Sequence, residues 1–199
     1  MIALSEEAAL SNDIKQVGSF PLTASSSNTI PTQNFLPGTY SAVLGGATNT
    51  SESAMLEIYD SDNANSTSRI NRFSALGLVS IGSPVISCGF VVIGDATETL
   101  LIRAVGPSLS TFGLTGVLAQ PSLTVYDSSI NPIASNTVWD GGHKLSSAMT
   151  QVGAFTIPAD SADSAVIVKV PAGAYTVQVS GLNGSIGNVM LEVYELNSP

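Results

Sequence analysis

Charge is scarce in this sequence. Of its 199 residues only 11% are Asp, Glu, Lys or Arg, and 44% are hydrophobic. An ordinary soluble domain carries about 25% charged residues. The surface is therefore either rich in Ser, Thr and Asn or buried against other subunits. Basic residues are scarcest: six, at Lys15, Arg69, Arg72, Arg103, Lys144 and Lys169, against 15 acidic ones, for a net charge of −9. A phosphate backbone or an anionic bilayer needs clustered Lys and Arg, so nucleic acid is excluded as a partner. Mean hydropathy is high, at +0.32. Yet Gly, Ser and Pro break every apolar stretch short of the roughly 20 residues that span a bilayer, which argues against membrane insertion.

Cysteine and histidine are scarcer still. A single cysteine, Cys88, excludes an internal disulfide. It lies in Val-Ile-Ser-Cys-Gly-Phe, where a small buried hydrophobe is the simple reading and a reactive or intermolecular thiol the other. One histidine, His143, and one distant cysteine cannot close a four-ligand zinc site within the chain. His143 follows Asp140-Gly141-Gly142. No Gly-x-Ser-x-Gly elbow accompanies it, so it reads as a loop histidine rather than the base of a triad. Met1–Glu7 lacks the basic and apolar regions of a signal peptide. Export, if it occurs, is expected to use a segment outside this sequence.

What is abundant is strand pattern and repetition. Residues 10–60 align with 145–195 without a gap at a constant offset, and 15 of the 51 aligned positions are identical. Gln16-Val17-Gly18-x-Phe20 matches Gln151-Val152-Gly153-x-Phe155. Gly38-x-Tyr40 matches Gly173-x-Tyr175, and Met55-Leu56-Glu57-Ile58-Tyr59 matches Met190-Leu191-Glu192-Val193-Tyr194. The organisation read from this is a half repeat at 1–60, a polar linker at 61–66 and a full repeat at 67–199. Runs of β-branched and aromatic residues between Gly, Pro, Asn and Ser turns predict strands. They fall near 28–35, 39–45, 53–59, 73–81, 85–94, 97–105, 121–127, 130–135, 152–157, 164–170, 174–180 and 187–195. Tyr175, Val177 and Val179 alternate with Thr176, Gln178 and Ser180, giving one buried and one polar face. The fold class expected is all-β: an antiparallel β-sandwich or jelly roll. Short helices are predicted over Glu6–Lys15, capped by Ser5, and over His143–Thr150. A single helical turn is predicted at Pro107–Phe112.

Leu101-Ile102-Arg103-Ala104-Val105-Gly106-Pro107-Ser108-Leu109, with Phe112-Gly113 after it, resembles a repeat of large exported bacterial surface proteins. Leu123-Thr124-Val125-Tyr126-Asp127, Ile133-Ala134-Ser135-Asn136 and Pro171-Ala172-Gly173-Ala174-Tyr175-Thr176-Val177-Gln178-Val179-Ser180-Gly181 are further matching pieces. The last of these are also similar to the bacterial pre-peptidase C-terminal domain, a sandwich appended to secreted enzymes. The resemblance spans about 67–195 and implies export, a sandwich and an accessory, non-catalytic role. Related sandwiches often carry an Asp pair after Ala-Ser-Asn, where calcium binds. Here Asn136-Thr137-Val138-Trp139-Asp140 keeps one acid.

Few residues are candidates for chemistry. Asp60-Ser61-Asp62-Asn63-Ala64-Asn65 alternates oxygen-bearing side chains as a calcium loop does. Asp60, Asp62 and Asn65 are weak ligand candidates, because the glycine at the sixth position and the acid at the twelfth are missing. A solvated linker is the competing reading, and no other cofactor is expected. Trp139, with Asp140 beside it, is the candidate platform for a sugar; the competing reading folds the ring back onto its own sandwich. Glu57 and Glu192 each sit inside an apolar strand. Met190, Glu192 and Tyr194 share one face, and Arg103 interrupts another apolar strand. A buried charge needs a partner, so Arg103 and Glu192 are predicted to form a structural pair. The function expected is that of a non-catalytic extracellular or cell-surface protein, structural or adhesive, with copies of itself as partners. The alternative is a carbohydrate-binding accessory module whose partners are polysaccharide or other surface proteins.

Overall fold

The computed structural model describes residues 34–43, 56–60, 70–82 and 84–196. The chain divides into two compact units, Met1–Ile70 and Asn71–Pro199. The helix expected over Glu6–Lys15 and the linker expected at 61–66 lie outside the described residues.

The second unit holds eight strands: β1 (Arg72–Val79), β2 (Val85–Val92), β3 (Glu98–Val105), β4 (Pro121–Tyr126), β5 (Pro132–Asn136), β6 (Ser164–Val170), β7 (Gly173–Gly181) and β8 (Gly187–Glu195). They form two antiparallel sheets, ordered β1-β8-β3-β6 and β2-β7-β4-β5. Across the sandwich β1 faces β2, β3 faces β4 and β5 faces β6. This is an eight-stranded jelly roll. Alternation along each strand sends one set of side chains inward. Ile102 and Ala104 of β3, Leu191 of β8, Val177 and Val179 of β7, and Leu123 and Val125 of β4 meet there in one apolar core.

The other face of the β1-β8-β3-β6 sheet is also covered. Helix α1 (His143–Gln151), the 3-10 turn Pro107–Phe112 and the stretch 152–160 lie against it. Leu101, Val105, Leu109, Trp139, Met149, Ile157 and Tyr194 make a second core beneath them. This third layer explains why β3 is buried on both faces from Leu100 onward, where it reads as an apolar run broken only by Arg103.

The strand expected at 152–157 does not form, and the end of α1 gives the reason. Gly153, at φ +67°, terminates the helix. Its N–H donates to Thr150 O at 3.1 Å and that of Ala154 to Met149 O at 2.9 Å, which is the Schellman arrangement. Beyond it, the Phe155 and Pro158 carbonyls accept from the Arg103 and Trp139 side chains instead of from a neighbouring strand. The turn between β4 and β5 likewise takes Ile130, at φ +63°, out of the strand expected at 130–135.

In the first unit, residues 34–43 and 56–60 are exposed and form no strand. The described parts of the strands expected at 28–35, 39–45 and 53–59 are therefore not laddered. A strand exists through its pairing, and no described strand pairs with them. Their local geometry nevertheless echoes the repeat. Tyr40 donates its hydroxyl to Leu36 O at 2.7 Å, as Tyr175 does to Pro171 O at 2.9 Å.

Candidate functional site

The densest polar cluster lies under the third layer. Arg103 on β3 stands directly opposite Glu192 on β8. Arg103 donates from Nε and Nη2 to Glu192 Oε2, at 2.8 and 2.5 Å. Its Nη1 donates to Phe155 O at 2.6 Å, and the guanidinium carbon lies 4.4 Å from the centre of the Phe155 ring. Tyr194 closes the cluster by donating to Glu192 Oε1 at 2.6 Å. Burial, and after it the bond to Glu192 and that group's negative charge, pushes the Tyr194 phenol up to about 12. Each of the three guanidinium nitrogens makes a hydrogen bond and both carboxylate oxygens are occupied. The cluster fastens the 152–160 stretch to the sheet and leaves no oxygen of Glu192 without a partner for acid–base work.

A second cluster centres on Asp163, a fully buried carboxylate that carries no distinguishing motif in the sequence. Its Oδ1 accepts from Gly106 N at 2.7 Å. Its Oδ2 accepts from the Ser108 hydroxyl and, at 2.5 Å, from that of Ser161. Its own carbonyl accepts from Trp139 N at 2.8 Å. Asp163 thus ties the Gly106-Pro107-Ser108 turn to the start of β6. The turn is tight: a Cβ on Gly106 would stand 2.1 Å from Leu118 O. The available signal was this turn itself, whose amide and hydroxyl need an acceptor once buried.

The candidate sugar platform is corrected here. Trp139 is 3% exposed, packed in the second core, and its indole N–H donates to Pro158 O at 2.9 Å. Asp140, next to it, accepts from Gly142 N at 2.8 Å ahead of α1. The pair shapes a turn and offers no stacking face. His143 lies on α1, its Nδ1 3.3 Å from Ser147 Oγ on the same helix. Cys88 is half-buried between the sheets, and burial pushes its thiol up to about 11. The reactive form is the thiolate, and burial disfavours it here. Of the calcium candidates Asp60 is described, whereas Asp62 and Asn65 lie outside the described residues. Among the described residues no three His, Cys, Asp or Glu side chains gather as metal ligands. No helix among them is long and apolar enough to cross a membrane.

The least guarded surface is the β1/β2 flank. Among the described residues both strands are edges of their sheets. Leu76 and Leu78 of β1 and Val91 of β2 point outward and are more than half exposed, and Ile81 and Ile93 beside them are nearly fully so. Natural edges are blunted by charge, proline or covering. The opposite flank follows that rule, with Pro132 on β5 and Lys169 on β6. β2, Val-Ile-Ser-Cys-Gly-Phe-Val-Val, carries neither charge nor proline, and β1 has a charge only at Arg72.

No family model matches the chain, and no curated protein matches it. Among solved structures it is similar to the pre-peptidase C-terminal domain of collagenase from Bacillus anthracis. The identity is 13%, over 62% of this chain and 89% of that one, with a TM-score of 0.40. Likeness at this level assigns no family.

Proposed function

We propose that this chain is a non-catalytic structural protein of the cell surface or extracellular space that assembles with copies of itself through the β1/β2 flank. The observation that supports the reading is that flank: two strands that end their sheets among the described residues, charged only at Arg72, with apolar side chains pointing outward from both. A second copy suits it because the edges are self-complementary. Main-chain groups of one edge pair with those of another, and the exposed Leu and Val side chains pack together. The flank itself carries a charge only at Arg72, so local charge adds little repulsion there, against the chain's net charge of −9. The sequence resemblance around Leu101–Leu109 favours export. The polar clusters at Glu192 and Asp163 favour a non-catalytic reading, because each carboxylate is consumed in holding the fold. The sugar-binding alternative loses its support with the burial of Trp139.

Light scattering over a dilution series, with negative-stain micrographs of the same samples, tests the proposal. Mass rising with concentration, with ordered oligomers or filaments, is the expected result. A monomer whose mass is independent of concentration would overturn it.

A further inference from the structure

The charges of the jelly roll are divided unevenly between its sheets. Arg72, Glu98, Arg103, Lys169, Glu192 and Glu195 all lie on strands of the β1-β8-β3-β6 sheet. The strands of the β2-β7-β4-β5 sheet carry no Asp, Glu, Lys, Arg or His. Leu123 and Val125 of β4 and Val177 and Val179 of β7 are fully buried in the core, so the residues between them point to the outer side of the sheet. There the register lines up hydroxyls and an amide. Ser87, Gln178, Thr124 and Ser135 form one cross-strand row. Gly89, Thr176 and Tyr126 form the row on one side of it, and Ser122 stands opposite Ser180 in the row on the other. A well-solvated protein surface carries about 25–35% charged residues. This face is instead a field of small neutral donors and acceptors, repeating about every 4.8 Å across the strands and about every 6.8 Å along them.

We infer that this face binds a neutral polysaccharide. Charge and hydrogen-bond chemistry select the occupant. The strands of the face hold no cation to pair with a carboxylate, sulfate or phosphate, and the chain's net charge of −9 opposes an acidic polymer. An apolar partner would strip water from the hydroxyls without replacing its hydrogen bonds, which is costly. Ser and Thr hydroxyls and the Gln178 amide each donate and accept. The hydroxyls of a sugar do the same, so contact needs no fixed polarity. A polymer of identical units also meets a lattice whose rows recur along its length. Tyr126 adds an aromatic body, apolar with a polar tip, to lie against a sugar ring. The site makes no use of Trp139. It lies within one copy, so the inference goes beyond the assembly reading.

The test is a depletion assay with the full chain on insoluble cellulose, chitin and starch granules, with carboxymethylated cellulose as the acidic counterpart. Saturable retention is expected on at least one of the three neutral polymers, and less on the acidic one. A Thr124→Val, Gln178→Val double variant removes two hydrogen-bonding groups while keeping side chains that suit a strand. Its affinity should fall by about tenfold. Gln178→Glu, which keeps the size and adds a charge, should lose affinity as well. Both variants should melt within a few degrees of the parent, because the altered side chains point away from the core. Retention on none of the neutral polymers, or retention indifferent to both variants, overturns the inference. So does a double variant that loses self-association with no change in retention, since copies then meet through this face. Light scattering on the same samples separates the two readings. Assembly without retention removes only this one, and variant-sensitive retention of a protein that stays monomeric removes only the other.

Discussion

At the scale of single residues, two charges decide how the layers of the jelly roll are joined. Arg103 and Glu192 were legible in the sequence because each breaks an apolar strand, and burying either alone is prohibitive. Their companions were not: that Phe155 lends a carbonyl and a ring follows only from the path of 152–160. Replacing Glu192 with Gln keeps the shape and strands a guanidinium without its counter-charge. The expected cost is about 3–5 kcal/mol, seen as a melting temperature lowered by roughly 10 °C or more. An Arg103→Met, Glu192→Met double variant should recover most of the loss, because it removes the uncompensated charge. An unchanged melting temperature for Glu192→Gln would show the pair to be ornamental. Tyr194 gives the cluster a pH signature. Its phenol titrates near 12 in the fold and near 10 in an unfolded chain. The folded state therefore holds the proton more tightly. The stability this contributes is fully present below pH ~10 and is lost as pH rises toward ~12. Absorbance titration at alkaline pH should show one late tyrosine, missing in Tyr194→Phe. A late step that persists in that variant belongs to another residue.

At the scale of elements, alternation and turn residues located every strand of the jelly roll and the helix at 143–151. Failure came where a local backbone motif outweighed side-chain pattern. Val152–Ile157 has the composition of a strand, but Gly153 closes the preceding helix, and the chain beyond it has side-chain donors in place of a ladder. Asp163 escaped notice for a related reason: Gly106 and Ser108, which it holds, are 57 and 55 residues away in sequence, and only Ser161 is a near partner. Its role makes a sharp prediction. Asp163→Ala removes the acceptor for one buried N–H and two hydroxyls at once. About 3 kcal/mol of stability should be lost in urea unfolding, and Asp163→Asn should lose less because one oxygen remains. A loss below about 0.5 kcal/mol for the Ala variant would mean that the Gly106-Pro107-Ser108 turn holds without its anchor.

At the scale of the whole molecule, the low charge of the sequence fits either a surface rich in Ser, Thr and Asn or one buried against other copies, and composition has no direction and could not say which surface copies would share. The fold supplies the direction, because strand order decides which strands become edges. β5 and β6 end the sheets on one side with proline and lysine on them; β1 and β2 end them on the other with a charge only at Arg72, the first residue of β1. If that asymmetry is what drives association, placing charge on the bare flank alone should undo it. Leu76→Lys with Val91→Lys puts an ammonium on each edge strand, pointing outward, so the apolar core keeps its contacts. The variant is expected to melt within a few degrees of the parent and to run as a monomer at concentrations where the parent's mass has risen. A Lys pair placed on exposed Ile130 and Val138, away from the flank, is the matched control and should leave assembly unchanged. If the flank variant assembles like the parent, copies meet through another surface. If both pairs dissolve the assembly equally, added charge rather than this flank governs it.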